Sequence, residues 1–179
     1  MLRTAAFFSE RFLLAAAGAM LFLTSSAFGV TDFSGNWVLD LRSSSSPDAM
    51  LKRLGASWVE RQFGGRLQLE ATYTQRPQSL TVQLRGVGFQ RTDVLPINNQ
   101  PQTVQDPILG KYTIRTFWSG DGTQLLSAVA LRTKDAKDAQ LMIVRQLSDG
   151  GKTLALSGTL KVTGESGSWT LRRVWRKRA

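Results

Sequence analysis

The chain has 179 residues, 42% of them hydrophobic, a formal net charge of +10, and neither cysteine nor histidine. Those two absences exclude disulfides, Cys-His and Ser-His-Asp nucleophile systems and nearly all zinc sites, so carboxylates are the main catalytic chemistry left. The basic balance, with Arg172, Arg173, Arg176, Lys177 and Arg178 crowded at the C-terminus, favours anionic partners such as a membrane surface or an acidic ligand.

The first segment reads as a targeting sequence. Arg3 and Arg11 flank a short basic region, Phe12–Leu23 is apolar, and Ala27 and Gly29 supply small residues at a cleavage site. This is the layout of a secretory signal peptide over residues 1–29. The apolar run falls short of the roughly 20 residues that span a bilayer. A single domain over residues 30–179 is expected, exported to a periplasm or secreted. With no cysteine to acylate, it is not expected to carry a lipid anchor. Export makes nucleic acid an unsuitable partner.

Alternation of apolar and polar residues begins at FSGNWVLDL, where Phe33, Gly35, Trp37, Leu39 and Leu41 share a face. Period two with one polar side predicts a half-buried antiparallel strand. The pattern then breaks. In SSSSPDAMLKRLGASWVERQFGG, Ser46 can cap a helix that has Pro47 at its first turn and Asp48 near its positive end, and Gly55 can stop it. Ser57 and Glu60 form a capping box for a second helix ending at Gly64-Gly65. A helix-turn-helix is therefore expected over about residues 46–64.

Strands follow at residues 66–75, 79–86 and 88–95, then at 111–118, 124–133, 139–148, 153–163 and 168–177, separated by Gly- and Asp-rich turns. The stretch PINNQPQTVQDPILG has three prolines, which limits it to loop or a poor edge strand. One strand there makes about ten in all. The expected class is all-β, an up-and-down antiparallel barrel or a sandwich with a helical insertion after the first strand.

Two strands carry a charge on their apolar face. Leu141, Ile143, Arg145 and Leu147 share one phase, as do Trp169, Leu171, Arg173 and Trp175. An arginine stays protonated when buried, so it needs an anion or water as partner. No Asp or Glu falls on the inward phase of strands two, three, eight, nine or ten. Strand four is too irregular to phase, leaving Asp93 open. A ligand carboxylate would satisfy these arginines through charge-assisted hydrogen bonds.

Taken together, FSGNW (Gly35, Trp37), the helical DAMLKRLGASWVERQFG, VRQLSDGGKTL and the final RRVWRK resemble the fatty-acid-binding proteins of the calycin superfamily. The resemblance covers nearly all of residues 30–179. It implies a ten-stranded barrel with a helix-turn-helix lid between the first two strands, a carrier without catalytic activity or cofactor, and a hydrophobic carboxylate inside. Carried over motif by motif, it implies ligand-binding roles for Arg145, Arg173 and Trp175. It also implies contact between a basic lid, here Lys52, Arg53 and Arg61, and anionic membranes, in a monomer. Trp175 stands where the family has a tyrosine, so an indole N–H replaces a hydroxyl. The proline-rich stretch at 96–110 does not match the family's middle strands, and the family's members are typically cytosolic.

Two other readings are open. The barrel could be filled by its own side chains and serve as a structural or protein-interaction module of the cell envelope. It could instead be a lipid-modifying enzyme, for which Tyr73 is the one inward candidate group.

Overall fold

The computed structural model describes residues 29–58, 61, 67–106 and 109–178. Its strands are β1 (Gly35–Asp40), β2 (Glu70–Arg76), β3 (Ser79–Gly86), β4 (Phe89–Pro96), β5 (Gln102–Asp106), β6 (Gly110–Trp118), β7 (Gln124–Arg132), β8 (Asp138–Ser148), β9 (Thr153–Val162) and β10 (Ser168–Lys177). They form one ten-stranded sheet in the order β4-β3-β2-β1-β10-β9-β8-β7-β6-β5, antiparallel at every step. Successive hairpins join neighbours in sequence, and the first strand meets the last. This is an up-and-down barrel curled on itself, not a sandwich.

The sheet's two ends are β4 and β5. Among the described residues no ladder joins them. The nearest backbone pairing is an isolated parallel bridge between Ile97 and Thr116. The prolines account for this seam. Pro96 ends β4, and Pro101 precedes a five-residue β5 that pairs only with β6, as expected of an edge strand near residues lacking N–H donors.

Strand boundaries fall close to those expected from alternation, with one clear difference. The second strand, expected from residue 66, enters its ladder only at Glu70. Its partner β1 turns away after Asp40, whose carboxylate accepts the Arg42 and Ser43 amides at 3.1 Å each. The following loop runs along β10. The Ser45 N–H donates to the Arg172 carbonyl at 2.8 Å and the Val174 N–H to Ser44 Oγ at 2.9 Å. Val174 is buried although it lies on the outward phase.

Between β1 and β2 lies α1 (Asp48–Leu54). The Asp48 N–H donates to Ser46 Oγ at 3.2 Å, and Gly55, at φ 92°, ends the helix in a left-handed conformation that glycine adopts without strain. The signal-peptide segment and most of the second expected helix, including Glu60 and Gly64-Gly65, lie outside the described residues.

Inward side chains form two apolar clusters, one at each end of the barrel. The closed end packs Phe33, Trp37, Leu39, Leu80, Leu125 and Leu154. Trp37 is its plug, its indole N–H donating to the Phe33 carbonyl at 3.1 Å. Under α1, Met50 and Leu54 pack with Val129, Leu131, Leu160 and Val162. Between these clusters the inward residues turn polar.

Candidate functional site

The polar layer is built by register. Arg145 on β8 lies opposite Leu156 on β9, and Arg173 on β10 lies opposite the same Leu156 from the other side. Facing pairs share a sheet face, so both arginines point inward. Arg145 is 7% exposed and Arg173 8%. The expectation of inward arginines on these two strands holds.

Their environments differ. Arg145 Nη1 donates to Ser127 Oγ at 3.0 Å, and Ser127 in turn shares a 3.0 Å hydrogen bond with Thr116 Oγ1. Arg145 Nε is buried without a partner. Arg173 makes no side-chain hydrogen bond or ion pair with the described residues, and burial lowers its guanidinium pKa. Trp175, 5% exposed, also presents a buried Nε1–H with no acceptor. Burial pushes the Tyr73 phenol pKa up, against the nearby Arg145 guanidinium, which pulls it down. The result is a set of donors directed into the barrel with too few acceptors.

A cavity of about 250 Å³ opens in this layer. Tyr73, Arg145 and Trp175 form part of its wall, with Val82, Ile143 and Leu156 as apolar lining. The structure thus brings Arg145 and Trp175 to one cavity. Arg173 is not among the residues lining it and stands behind Leu156. The interior is packed at both ends and open between them.

Strand β4, left unphased in the sequence, supplies the ionic groups that alternation missed. The tight β3–β4 hairpin pairs Gly86 with Phe89, which sets Arg91 opposite Leu84 and Asp93 opposite Val82. Arg91 and Asp93 therefore face inward with those leucine and valine side chains. Arg91 Nε donates to both Asp93 oxygens at 2.8 and 2.9 Å, and Nη1 reaches Asp106 on β5 at 2.5 Å. Asp106 is 4% exposed and also accepts the Leu109 N–H at 2.9 Å. Inward carboxylates exist, but Arg91 holds them, and it does so across the seam. The two-residue Val87-Gly88 turn was the signal that could have revealed this, because such a turn fixes hairpin register.

The lid cations are placed separately. Arg53 donates to Glu165 at 2.5 Å and Asp135 at 3.1 Å and lies 5.7 Å from the Trp169 ring centroid. Lys137 joins it at 2.7 Å from Glu165. The Arg53 and Lys137 hydrogen bonds hold the Glu165 carboxyl down at about 2, and the Thr133 hydroxyl, with Arg53, holds Asp135 down at about 2. Arg61 donates to Asp48 at 2.9 Å and to the Ala56 carbonyl at 2.9 Å. Lys52 is exposed.

No family profile and no curated protein matches this chain. Solved structures do. The chain is similar to the REP1-NXSQ fatty acid transporter, at 17% identity and a TM-score of 0.62 over 83% of this chain and 97% of that one. It is similar to apo lipid binding protein 8 of Caenorhabditis elegans, at 15% identity and a TM-score of 0.64 over 83% of this chain and 99% of that one. A third is the Schistosoma mansoni fatty acid binding protein in complex with arachidonic acid, at 19% identity and a TM-score of 0.61 over 82% of this chain and 96% of that one. With its ten antiparallel strands, the helix after the first and the ladder missing between β4 and β5, the chain has the calycin fold of the fatty-acid-binding proteins.

Proposed function

We propose that this protein is a non-catalytic carrier that holds a hydrophobic carboxylic acid inside its barrel. The observation that carries the reading is the row of inward arginines. Arg145 Nε and Trp175 Nε1 are buried donors without acceptors, and Arg173 is a buried cation without a counter-charge among the described residues. A ligand carboxylate accepts from such groups through short, charge-assisted bonds. The solved structures with this fold include a fatty acid transporter and a fatty acid binding protein, which supports a lipid-like ligand. Apolar contact with Val82, Ile143 and Leu156 adds about 0.8 kcal/mol per buried methylene.

On this reading Arg145 and Trp175 bind the carboxylate directly, and Arg173 adds its charge from behind Leu156. The carrier is exported as a monomer, and its lid meets an anionic membrane surface through Lys52. Arg53 and Arg61 keep their ion pairs while shaping that surface.

The test is calorimetric titration of the purified protein with octanoate and oleate, each beside the alcohol of the same chain. The acids should bind at least tenfold more tightly than the alcohols, and the gap should close in Arg145→Leu. Equal binding of acid and alcohol would leave a pocket that does not read the carboxylate. No binding of either would favour the filled-barrel alternative.

A further inference from the structure

The cavity is not lined as a sleeve for a hydrocarbon chain. On the side facing the β4–β5 seam its wall carries Arg91, Asp93, Gln102 and Tyr112. Arg91 pairs there with Asp93, and behind the wall with the buried Asp106, so this wall presents an ion pair, while Arg145 on the opposite wall has no carboxylate partner among the described residues. An ionised carboxylate offers about four acceptor sites. Arg91 Nε engages each Asp93 oxygen once, and the Asp93 side chain is one-third exposed, so it can accept further donors. Tyr73, Arg145 and Asp93 line the same cavity.

A plain acyl chain running from Arg145 toward the seam would end against this ion pair. Its methyl terminus would displace water from charged groups without replacing a hydrogen bond, which is unfavourable. A hydroxyl at that end would donate to Asp93 and take the place of the water. Size favours a compact ligand, since the cavity of about 250 Å³ lies below the roughly 300–1,000 Å³ of common small-molecule pockets.

We propose that the ligand is a short- to medium-chain carboxylic acid bearing a hydroxyl group at the end remote from its carboxylate, with the carboxylate on Arg145 and the hydroxyl on Asp93. The proposal rests on the carboxylate-binding reading above and narrows it. Asp93, oriented by Arg91, is the residue that sets specificity, and the seam is where the polar end of the ligand sits.

Calorimetric titration of the purified protein with octanoate, 8-hydroxyoctanoate and oleate tests it. The hydroxy acid should bind roughly tenfold more tightly than octanoate, the effect of one hydrogen bond to a charged group, and oleate should bind no more tightly than octanoate. In Asp93→Leu, which leaves the Arg91–Asp106 pair in place, octanoate should bind at least as well as the hydroxy acid. A preference that survives in this variant would remove Asp93 from the site and overturn the assignment. If octanoate equals or exceeds the hydroxy acid in the unmodified protein and affinity climbs through oleate, the proposal fails while the carboxylate carrier stands. If none of the three acids binds, both readings fail.

Discussion

Arg145 and Arg173 face the same residue, Leu156, from the two strands that flank β9. With strands about 4.8 Å apart, this sets the two arginine Cα atoms roughly 10 Å apart on one inner face. Ser127 answers one of them at 3.0 Å, and no described residue answers the other. On the proposed carrier reading, a ligand-free barrel built this way gives up stability to keep a binding site.

The first expected outcome is therefore a gain in stability. Replacing a buried charge by an apolar residue of similar volume is neutral or favourable by about 1–4 kcal/mol. Arg173→Leu should raise the urea midpoint of the ligand-free protein, and Arg145→Leu should do so less, because it also leaves Ser127 with one partner fewer. A lower midpoint in Arg173→Leu would mean that its guanidinium is already well solvated.

Acid should loosen the lid. The Glu165 carboxyl is held at about 2 by Arg53 and Lys137, below its ordinary value of 4.5. A carboxyl with a lowered folded-state pKa contributes stability that is complete above its unfolded value and lost as pH falls toward its folded value. The lid staple should weaken between about pH 4.5 and 2, and Asp135, also at about 2, should extend the loss. Trp169 fluorescence, reporting the Arg53 contact, should follow that window, and Glu165→Gln should remove much of the change. A Trp169 signal that is flat down to pH 2 would contradict the staple.

Much of this architecture was legible in the sequence because each hairpin announces itself twice, by alternation and by its turn. Alternation in FSGNWVLDL and SWTLRRVW places Trp37, Arg173 and Trp175 inward, and Pro96 and Pro101 mark the sheet edge. What stayed hidden depended on long-range register. FQRTDVLP is too irregular to phase, so Arg91 and Asp93 are not assigned to a face until the hairpin pairs them with Leu84 and Val82. Asp106 lies in a stretch whose prolines suggest loop, yet it is buried by contact with a strand 15 residues away in sequence. The lid cations were visible as charges, but their partners Glu165 and Asp135 come from distant turns that local pattern does not connect.

The lid's seat is Gly158 on β9. A Cβ there would lie 3.5 Å from Leu141 Cδ1, 3.7 Å from Met50 Cε and 3.8 Å from Leu171 Cβ, all ordinary contacts. Gly158→Ala should be accepted within about 0.5 kcal/mol, as at sites without strain. Gly158→Leu should push Met50 outward and destabilise by about 1–3 kcal/mol through overpacking. Hydrogen exchange in α1 should be unchanged in the first variant and faster in the second. Equal exchange in both would detach the lid from Gly158.

Across the seam, Arg91 stands in for the missing ladder. Arg91→Met leaves the buried Asp106 without its guanidinium partner. The loss should be about 1–3 kcal/mol, below that of a fully buried pair because Arg91 is about one-third exposed. Amide exchange should rise in β4 and β5 and stay constant in β9 and β10. A uniform rise would show that the clasp supports the whole barrel and not the seam.

The most direct test of the central claim is the ionisation of the bound acid. Octanoate labelled with ¹³C at its carboxyl carbon would be titrated in the complex from pH 7 downward and followed by its carboxyl resonance. Opposite charge nearby favours the ionised form and lowers a carboxyl pKa. With Arg145 against the carboxylate and Arg173 behind it, the bound resonance should keep its ionised position well below the range near 4–5 where free carboxylic acids titrate. A bound resonance that titrates as the free acid does would place the carboxylate in solvent, away from both arginines.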